Sequence, residues 1–552
     1  MSYNDFREYI AALDDAGLLR RVRSSICKDT ELMPLVRLQF RGLPAEERTA
    51  FLFEQVTDAT GRQYPGPVAV GVMGANRAVY AKALGCAPDE IVARWAEVHG
   101  GGYIEPVLVD DGPVLEEIHV GDDLLEHDGI LEFPHPISTP GFDPAPYFTS
   151  PFWVTKDPET GVRNVGTYRV MVKEADRAGM MAHQSQHIGI HLQSARQRGE
   201  MLEAAIILGC APAVGLCSVA KIPYGVDEYA VAGAIAGRPI ELVKCRTVDL
   251  EVPASAEIVV EGYVDPTFRE AEAPFGEYTG YMGTRVANPV FTVTGISHRR
   301  KPVYQAFLSQ FPPSESSLIR KLAYDAVYLK HLRSANIPGV LDVQLHEATG
   351  SYGLMVIQLK KAHPSQPWQA LHSAVALDPT IGKMIVAVDD DIDPNDADAV
   401  NWAMAFRMRP HLDVHIVTGK ASILDPSSAP PEAHVDEQRF PSPVGTSCIL
   451  IDATRKWDYP PTSLPRKEFM DRALRRWEEE GLPPLSLKKP WFGYELGYWT
   501  DEAREEAAAA VEGGYLSTGS RLRSTREPVP SSGFADTEDT ESTETIRGEL
   551  DG

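Results

Sequence analysis

The sequence has few cysteines, and no two of them have a metal-binding or redox spacing. Cys27, Cys86, Cys210, Cys217, Cys245 and Cys448 include no C-x-x-C pair. That excludes zinc-ribbon and thioredoxin-type chemistry and points to free thiols in a reducing cytoplasm. Positive charge is also short. Lys and Arg number 53 against 78 Asp and Glu, a net charge of −25. Such a surface repels nucleic acid and anionic membranes, so neither is expected as a partner. It also repels a carboxylate, so a site for an acid must carry its own cations. The longest apolar run, Ala204 to Ala220, is interrupted by Gly209, Pro212 and Gly215, and reads as a buried strand and turn rather than a membrane span. The N-terminal stretch carries acids throughout, unlike a signal peptide. It reads as an amphipathic helix with Phe6, Ile10, Leu13 and Leu18 as apolar positions, broken at Gly17. There is no P-loop, no prenyl-transfer signature and no internal repeat.

What remains is a globular chain of 552 residues, 43% hydrophobic, with 44 Gly and 43 Pro. That length exceeds one compact core, so several domains are expected. The pattern predicts an α/β and β multidomain protein. Residues 1–115 read as a mixed α/β unit, with strands at LFEQV and PVAVGVMG and a helix at ANRAVYAKALG. Residues 116–305 are rich in strand-like runs: RNVGTYRVMVK, EIVVEGYV, NPVFTVTGISH and PVYQAF. Residues 306–320, containing FPPSESS, read as a linker. Residues 321–500 alternate helices and strands again, an α/β domain. Residues 501–552 form an extension. After Pro528 it is acidic and nearly free of large apolar groups, and reads as a disordered tail.

Four polar groups stand out in the strand-rich middle. The first holds Asn164 and Arg169, with Arg169 read as mid-strand, a costly place for an unpaired guanidinium. The second, MMAHQSQHIGIH, spaces His183, His187 and His191 by four, as metal ligands on a helix could be. It lacks the Glu of H-E-x-x-H, and one ligand among the three is favoured over all three. The third, KIPYGVDEYAVAG, presents Lys221, Asp227 and Glu228 around a Pro223/Gly225 turn. The fourth, REAEAPFGEYTGYMG, places Glu272 and Glu277 five residues apart across a Pro274/Gly276 turn. Two acids beside a buried Arg suit proton transfer. The run VDDDIDPNDADAV imitates a calcium loop, but Pro394 replaces the obligatory Gly and Val400 the final Glu, so it reads as a strand end and a helix start.

Together these groups resemble the UbiD family of reversible decarboxylases. The order is N-x4-R, a His eighteen residues after the Arg, an acid in a P-x-G-x-D-E turn, then E-x4-E in a P-F-G-E motif. GKMIVAVDDDIDPND, RMRP and SCILIDATRKW extend the likeness to about residue 500. The resemblance implies that the middle segment is a flavin-reductase-like split β-barrel holding prenylated FMN, and that the C-terminal α/β domain serves oligomerisation, as a homodimer or larger homo-oligomer. It implies Asn164, His187 and Glu228 as ligands of a divalent metal, usually Mn2+, with K+ nearby at Ser218. Gln186, Ser218 and Lys221 would be further cofactor contacts, and Arg169, Glu272 and Glu277 the E–R–E network, with Arg169 also against the cofactor. Leu318, Ile319 and Leu424 would line the substrate pocket. Where fungal members place a Lys, an ungapped match gives Leu377. The implied reaction removes CO2 from an aromatic, heteroaromatic or α,β-unsaturated carboxylic acid through a covalent adduct with the cofactor, with protonation by Glu277. A flavin prenyltransferase must supply the cofactor. Two readings from other classes stand beside this: a metal-dependent hydrolase using His183 and His187, and a non-catalytic binding protein. Metal-dependent activity without flavin absorbance would favour the first, and a flavin-free chain the second.

Overall fold

The computed structural model describes residues 3–378, 381–420, 424–428, 430 and 445–514; the acidic tail after Pro528 lies outside them. The chain divides into two units, Met1–Trp457 with Pro465–Phe492, and Asp458–Leu464 with Gly493 onward. In the smaller unit Tyr459 bridges to Gly497, and the helix Asp501–Val511 starts on Thr500, whose hydroxyl accepts from the Ala503 N–H at 3.1 Å.

The larger unit begins with the anticipated amphipathic helix, Phe6–Asp15. The Asp5 carboxylate caps it, accepting from the Glu8 N–H at 2.8 Å, and Phe6, Tyr9, Ile10 and Leu13 are buried along one face. The helix rests by a sheet whose strands run in the order Leu19–Cys27, Ala50–Thr57, Val68–Val70 and Tyr304–Ala306. The last of these was read as the end of the middle domain. It pairs in parallel with Val68–Val70 of the N-terminal sheet, and Tyr304, Gln305 and Ala306 are all buried. A strand buried on both faces needs a neighbour, and the N-terminal sheet provides one.

The middle segment forms one nine-stranded sheet. Its path runs Tyr147–Phe148, Val170–Glu174, Arg177–Met180, Val286–His298, Ile258–Glu272, Leu202–Leu208, Phe152–Lys156 and Arg163–Thr167, with Glu117–Val120 added beside Val286–His298. RNVGTYRVMVK was read as a single strand with Arg169 in its middle. It is two strands, Arg163–Thr167 and Val170–Glu174, and Arg169 lies in the two-residue break between them. The first is at one end of the sheet and the second is next to the other end. Two residues reach only about 10 Å from one strand to the next, so the sheet curls until its ends meet there, as a barrel requires. Apolar alternation runs unbroken through the corner, which is why the sequence hid it. The exposed backbone is satisfied by tertiary partners: the Trp153 indole donates to the Tyr168 carbonyl at 2.7 Å.

The apolar run after the strand Leu202–Leu208 continues as a buried helix, Pro212–Val219, rather than the turn expected. Pro212 occupies its first turn, where no N–H is needed. Gly215 faces Phe152 and Met73 so closely that a Cβ would meet the Phe152 ring at 3.1 Å.

The C-terminal sheet runs Val340–Leu345, Leu354–Leu359, Met384–Asp389, Thr446–Asp452 and Val414–Lys420. The region read as a linker is ordered from Glu315, which opens the 20-residue helix Glu315–Ser334. Ser314 and Ser317 close a reciprocal capping box there. The calcium-like run is indeed a strand end followed by the helix Ala397–Arg407. Its acids have a structural partner. Arg407, 2% exposed, donates to Asp389 at 2.9 Å and to Asp391 at 2.8 and 2.6 Å. Arg407→Ala leaves two buried carboxylates short of their cation, so it is expected to destabilise this domain by about 3–5 kcal/mol. A thermal midpoint equal to that of the unaltered protein would show the pair to be dispensable.

Candidate active site

The corner of the curled sheet brings the sequence motifs together. Asn164 lies on the strand Arg163–Thr167, His187 is the first residue of the helix His187–Arg198, and Glu228 the first of the helix Glu228–Ala236. His187 Nδ1 is 3.1 Å from Asn164 Oδ1 and 3.7 Å from Glu228 Oε1. Neighbouring ligand atoms on an octahedral ion with bonds near 2.1 Å stand about 3.0 Å apart, so this oxygen–nitrogen–oxygen set fits a hard or borderline divalent ion such as Mn2+. A cavity of about 10 Å³, lined by Asn164, His187, His191 and Tyr224 among others, adjoins it. That is room for one ion or water. A wider cleft of about 500 Å³ among Arg20, Glu46 and Arg48 in the N-terminal domain contains none of the motif residues.

The folding of each ligand follows from its neighbours. Asp227 and Glu228 were read as a pair of acids on a turn; the structure separates their tasks. Asp227 caps the helix, accepting from the Tyr229 N–H at 2.9 Å, and is neutralised by Arg163 at 2.6 Å. Glu228 is turned inward, 3% exposed, and accepts from the Val165 N–H at 2.9 Å. Burial raises its pKa, with His187 and the Val165 bond opposing the rise. An acid so placed favours a cation beside it.

Of the three histidines His187 stands between Asn164 and Glu228, and His191 lines the adjoining cavity. His191 is buried one turn on, its Nδ1 2.9 Å from the Thr155 hydroxyl. His183 is not on the helix at all: it precedes it, and its N–H donates to Gln186 Oε1 at 2.8 Å. The helix can accept that loop only because residue 189 is glycine, where a Cβ would stand 2.0 Å from the His183 carbonyl oxygen. Spacing by four does not put all three on one helix, since the helix starts at the second histidine. Ser218 joins the same strand, its hydroxyl 2.9 Å from that of Thr167 and also donating to the Gly215 carbonyl at 2.8 Å.

Five residues beyond Asn164, the corner residue Arg169 is clamped between the two acids. Its Nε donates to Glu272 at 2.8 Å, and its Nη1 is ion-paired with Glu277. Its guanidinium also lies 5.5 Å from the Phe275 ring centroid. Glu272 is fully buried at the end of the strand Ile258–Glu272 and Glu277 is 7% exposed. Glu277 opens a tight loop: its N–H donates to Tyr281 O at 2.9 Å, and its carbonyl accepts from Gly280, whose φ of +103° suits glycine. Lys221 pairs with Asp378, at the end of the helix Gln366–Leu377.

The C-terminal domain holds the Glu277 loop. The Thr279 hydroxyl donates to the Leu424 carbonyl at 2.8 Å, and Arg320 stacks on the Tyr278 ring at 3.9 Å. Leu424 is thus brought against the loop that carries the candidate acid. Leu318 and Ile319, by contrast, are buried in the large core with Met73 and Leu322, and Ile319 packs on Gly74.

Three neighbours were not anticipated. Asn288 donates to Glu272 from the strand Val286–His298; an amide amid valines and phenylalanine was the only signal. Asp143 accepts from the Thr139 N–H at 2.6 Å and is pushed up to about 6 by burial, with bonds from Thr139 and Gly276 N–H groups and the charge of Arg169 opposing. Tyr224 packs edge-on against His187 at 5.2 Å and donates to Asp157 at 2.7 Å. Asp143 and Tyr224 lie in loops whose roles no local pattern encodes.

The curled sheet thus gathers the Asn164–His187–Glu228 group and an Arg held between two buried acids, and the family to which the chain belongs is one of carboxy-lyases. The chain belongs to the UbiD family. Residues 10–98, 102–311 and 317–453 match the N-terminal, Rift-related and C-terminal domains of 3-octaprenyl-4-hydroxybenzoate carboxy-lyase. An uncharacterized protein of Archaeoglobus fulgidus is 30% identical over 478 residues, covering 83% of this chain and 93% of its own. Among solved structures, an evolved dimeric form of the UbiD-class enzyme HmfF from Pelotomaculum thermopropionicum, in complex with prFMN, is 32% identical with a TM-score of 0.72, covering 86% of this chain and all (100%) of that one. Vanillic acid decarboxylase of Sedimentibacter hydroxybenzoicus in its closed form is 25% identical with a TM-score of 0.72, covering 87% and 100%.

Proposed function

We propose that this chain is a reversible, non-oxidative decarboxylase of an aromatic, heteroaromatic or α,β-unsaturated carboxylic acid, dependent on prenylated FMN, a divalent metal such as Mn2+, and K+. The observation that carries this is Arg169, held between Glu272 and Glu277 five residues from Asn164. Asn164, His187 and Glu228 would hold the metal, which would supply the positive charge that a phosphate-bearing cofactor needs in a protein of net charge −25. Gln186, Ser218 and Lys221 are assigned to the cofactor's surroundings, Ser218 also to K+.

The bound cofactor supplies the electron sink that decarboxylation needs. The protein does the rest. Arg169 offers the cation that attracts the substrate carboxylate and fixes both acids by directional bonds. When the C–C bond to the carboxylate breaks and CO2 leaves, Glu277, in its neutral form, gives a proton to that same carbon and regains one from solvent. Glu272, fully buried and bonded to Asn288, orients Arg169. Leu424 and the grip on Thr279 link the C-terminal domain to the position of Glu277. Leu318 and Ile319 remain assigned to the pocket wall. The evolved dimeric form of HmfF supports a homodimer or multiple of it, and six free cysteines suit the cytoplasm. Among the described residues no helix is long and apolar enough to cross a membrane.

The test is co-expression with a flavin prenyltransferase, followed by a panel of aromatic and cinnamic-type acids. Protein made with the prenyltransferase is expected to release CO2 from at least one acid, and protein holding plain FMN to be essentially inactive. Full turnover with plain FMN would refute the cofactor assignment.

A further inference from the structure

A second cluster of metal-ligating side chains lies on the same sheet and shares no residue with the site above. The strand Glu117–Val120 pairs antiparallel with the strand Val286–His298, placing His119 opposite Ile296. His119 and His298 are thus diagonal neighbours on one face, with ring centroids 5.3 Å apart. The segment that follows returns two more donors. His127 ends the helix Asp122–Glu126 and stacks on His119 at 3.9 Å, and Glu132 closes the short helix Gly129–Glu132. Ligand atoms of His119, His127 and Glu132 lie within 4.8 Å of one another.

His298 points independently to a ligand. It is 5% exposed, and its Nδ1 is 2.9 Å from the Arg299 carbonyl oxygen, which can only accept. In the neutral ring Nδ1 therefore carries the proton and Nε2 the lone pair. That buried Nε2 has no hydrogen-bond partner and sits 3.9 Å from Glu132 Oε2. His119 is prepared in the same way. Its Nδ1 is 2.8 Å from the Asp123 carboxylate, leaving Nε2 free to bind. A carboxylate or carbonyl behind each imidazole is the usual support of a metal-bound histidine.

We propose that His119, His127, Glu132 and His298 form a second divalent-metal site of the zinc class. Three imidazoles and one carboxylate, with no thiolate, suit tetrahedral Zn2+ or Co2+ better than Ca2+ or Mg2+. Tetrahedral ligands with bonds near 2.0 Å stand about 3.3 Å apart, so the ion draws the half-exposed His127 ring out of its stack and toward the buried pair. The consequence is a clip that fastens residues 122–132 to the barrel sheet.

The test uses full-length, flavin-loaded protein, freed of loose metal by chelator and equilibrated with about tenfold less Zn2+ than a non-specific surface site needs (Kd of the specific site being on the order of µM or tighter). Metal per chain is read by elemental analysis and flavin per chain by absorbance. The unaltered protein is expected to hold one more zinc than His127→Ala or Glu132→Ala, with flavin unchanged and zinc affinity of the variants at least tenfold lower. Co2+ is expected to give the intense visible bands of a four-coordinate ion in the unaltered protein alone. Equal zinc content in all three proteins would overturn the proposal. So would a loss of zinc that takes flavin with it, since the metal would then belong to the Asn164–His187–Glu228 set.

Discussion

Glu277→Gln is expected to lower turnover by about 10³-fold, within the range that a positioned general acid contributes, while flavin and metal remain bound. Gln is nearly the same size and its carbonyl can still accept from Arg169, so the clamp between Glu272 and Glu277 should persist. What is lost is the proton that a carboxylic acid delivers to carbon and takes back from solvent. The variant is therefore also expected to stop hydrogen exchange between D2O and the reacting carbon of the product. Glu272→Gln acts through Arg169 and should be impaired less severely. If Glu277→Gln turns over near the normal rate with full deuterium incorporation, the donor lies elsewhere, and Glu272 is the next candidate.

His187→Ala and Glu228→Ala are each expected to lose metal and flavin together. His187 Nδ1 faces both Asn164 Oδ1 and Glu228 Oε1, so removing the imidazole would take away the central ligand of the proposed metal, and removing the buried carboxylate would take away the charge that balances it. Because the metal would carry the cofactor phosphate, affinity for both should fall at least 10–100-fold, the range seen when even supporting residues of a metal site are removed. Elemental analysis and flavin absorbance, measured on the same preparations, should fall in parallel. Metal-free variants with normal flavin occupancy would separate the two and remove the bridging role.

The sequence by itself determined the alternation that builds the sheets, the helices at Phe6–Asp15 and Gln366–Leu377, and the four polar motifs, because periodicity and local turn chemistry are short-range properties. It also contained Asn164, His187, Glu228, Arg169, Glu272 and Glu277 as a linked order of residues. Only the tertiary structure decided how they meet. The break at Tyr168–Arg169 follows from closing a curled sheet, a long-range demand that leaves the alternation of Tyr168, Val170 and Val172 untouched. Asp227 and Glu228 are chemically alike and adjacent. Arg163 claims one and burial turns the other inward, and that choice depends on a strand some sixty residues earlier. His183 and His187 share a spacing, and the helix start, fixed by the close approach at Gly189, puts His187 on the helix and His183 before it. His119, His127 and Glu132 are near one another in the chain, but His298 joins them only because the strands Glu117–Val120 and Val286–His298 are neighbours in the sheet and remote in the chain.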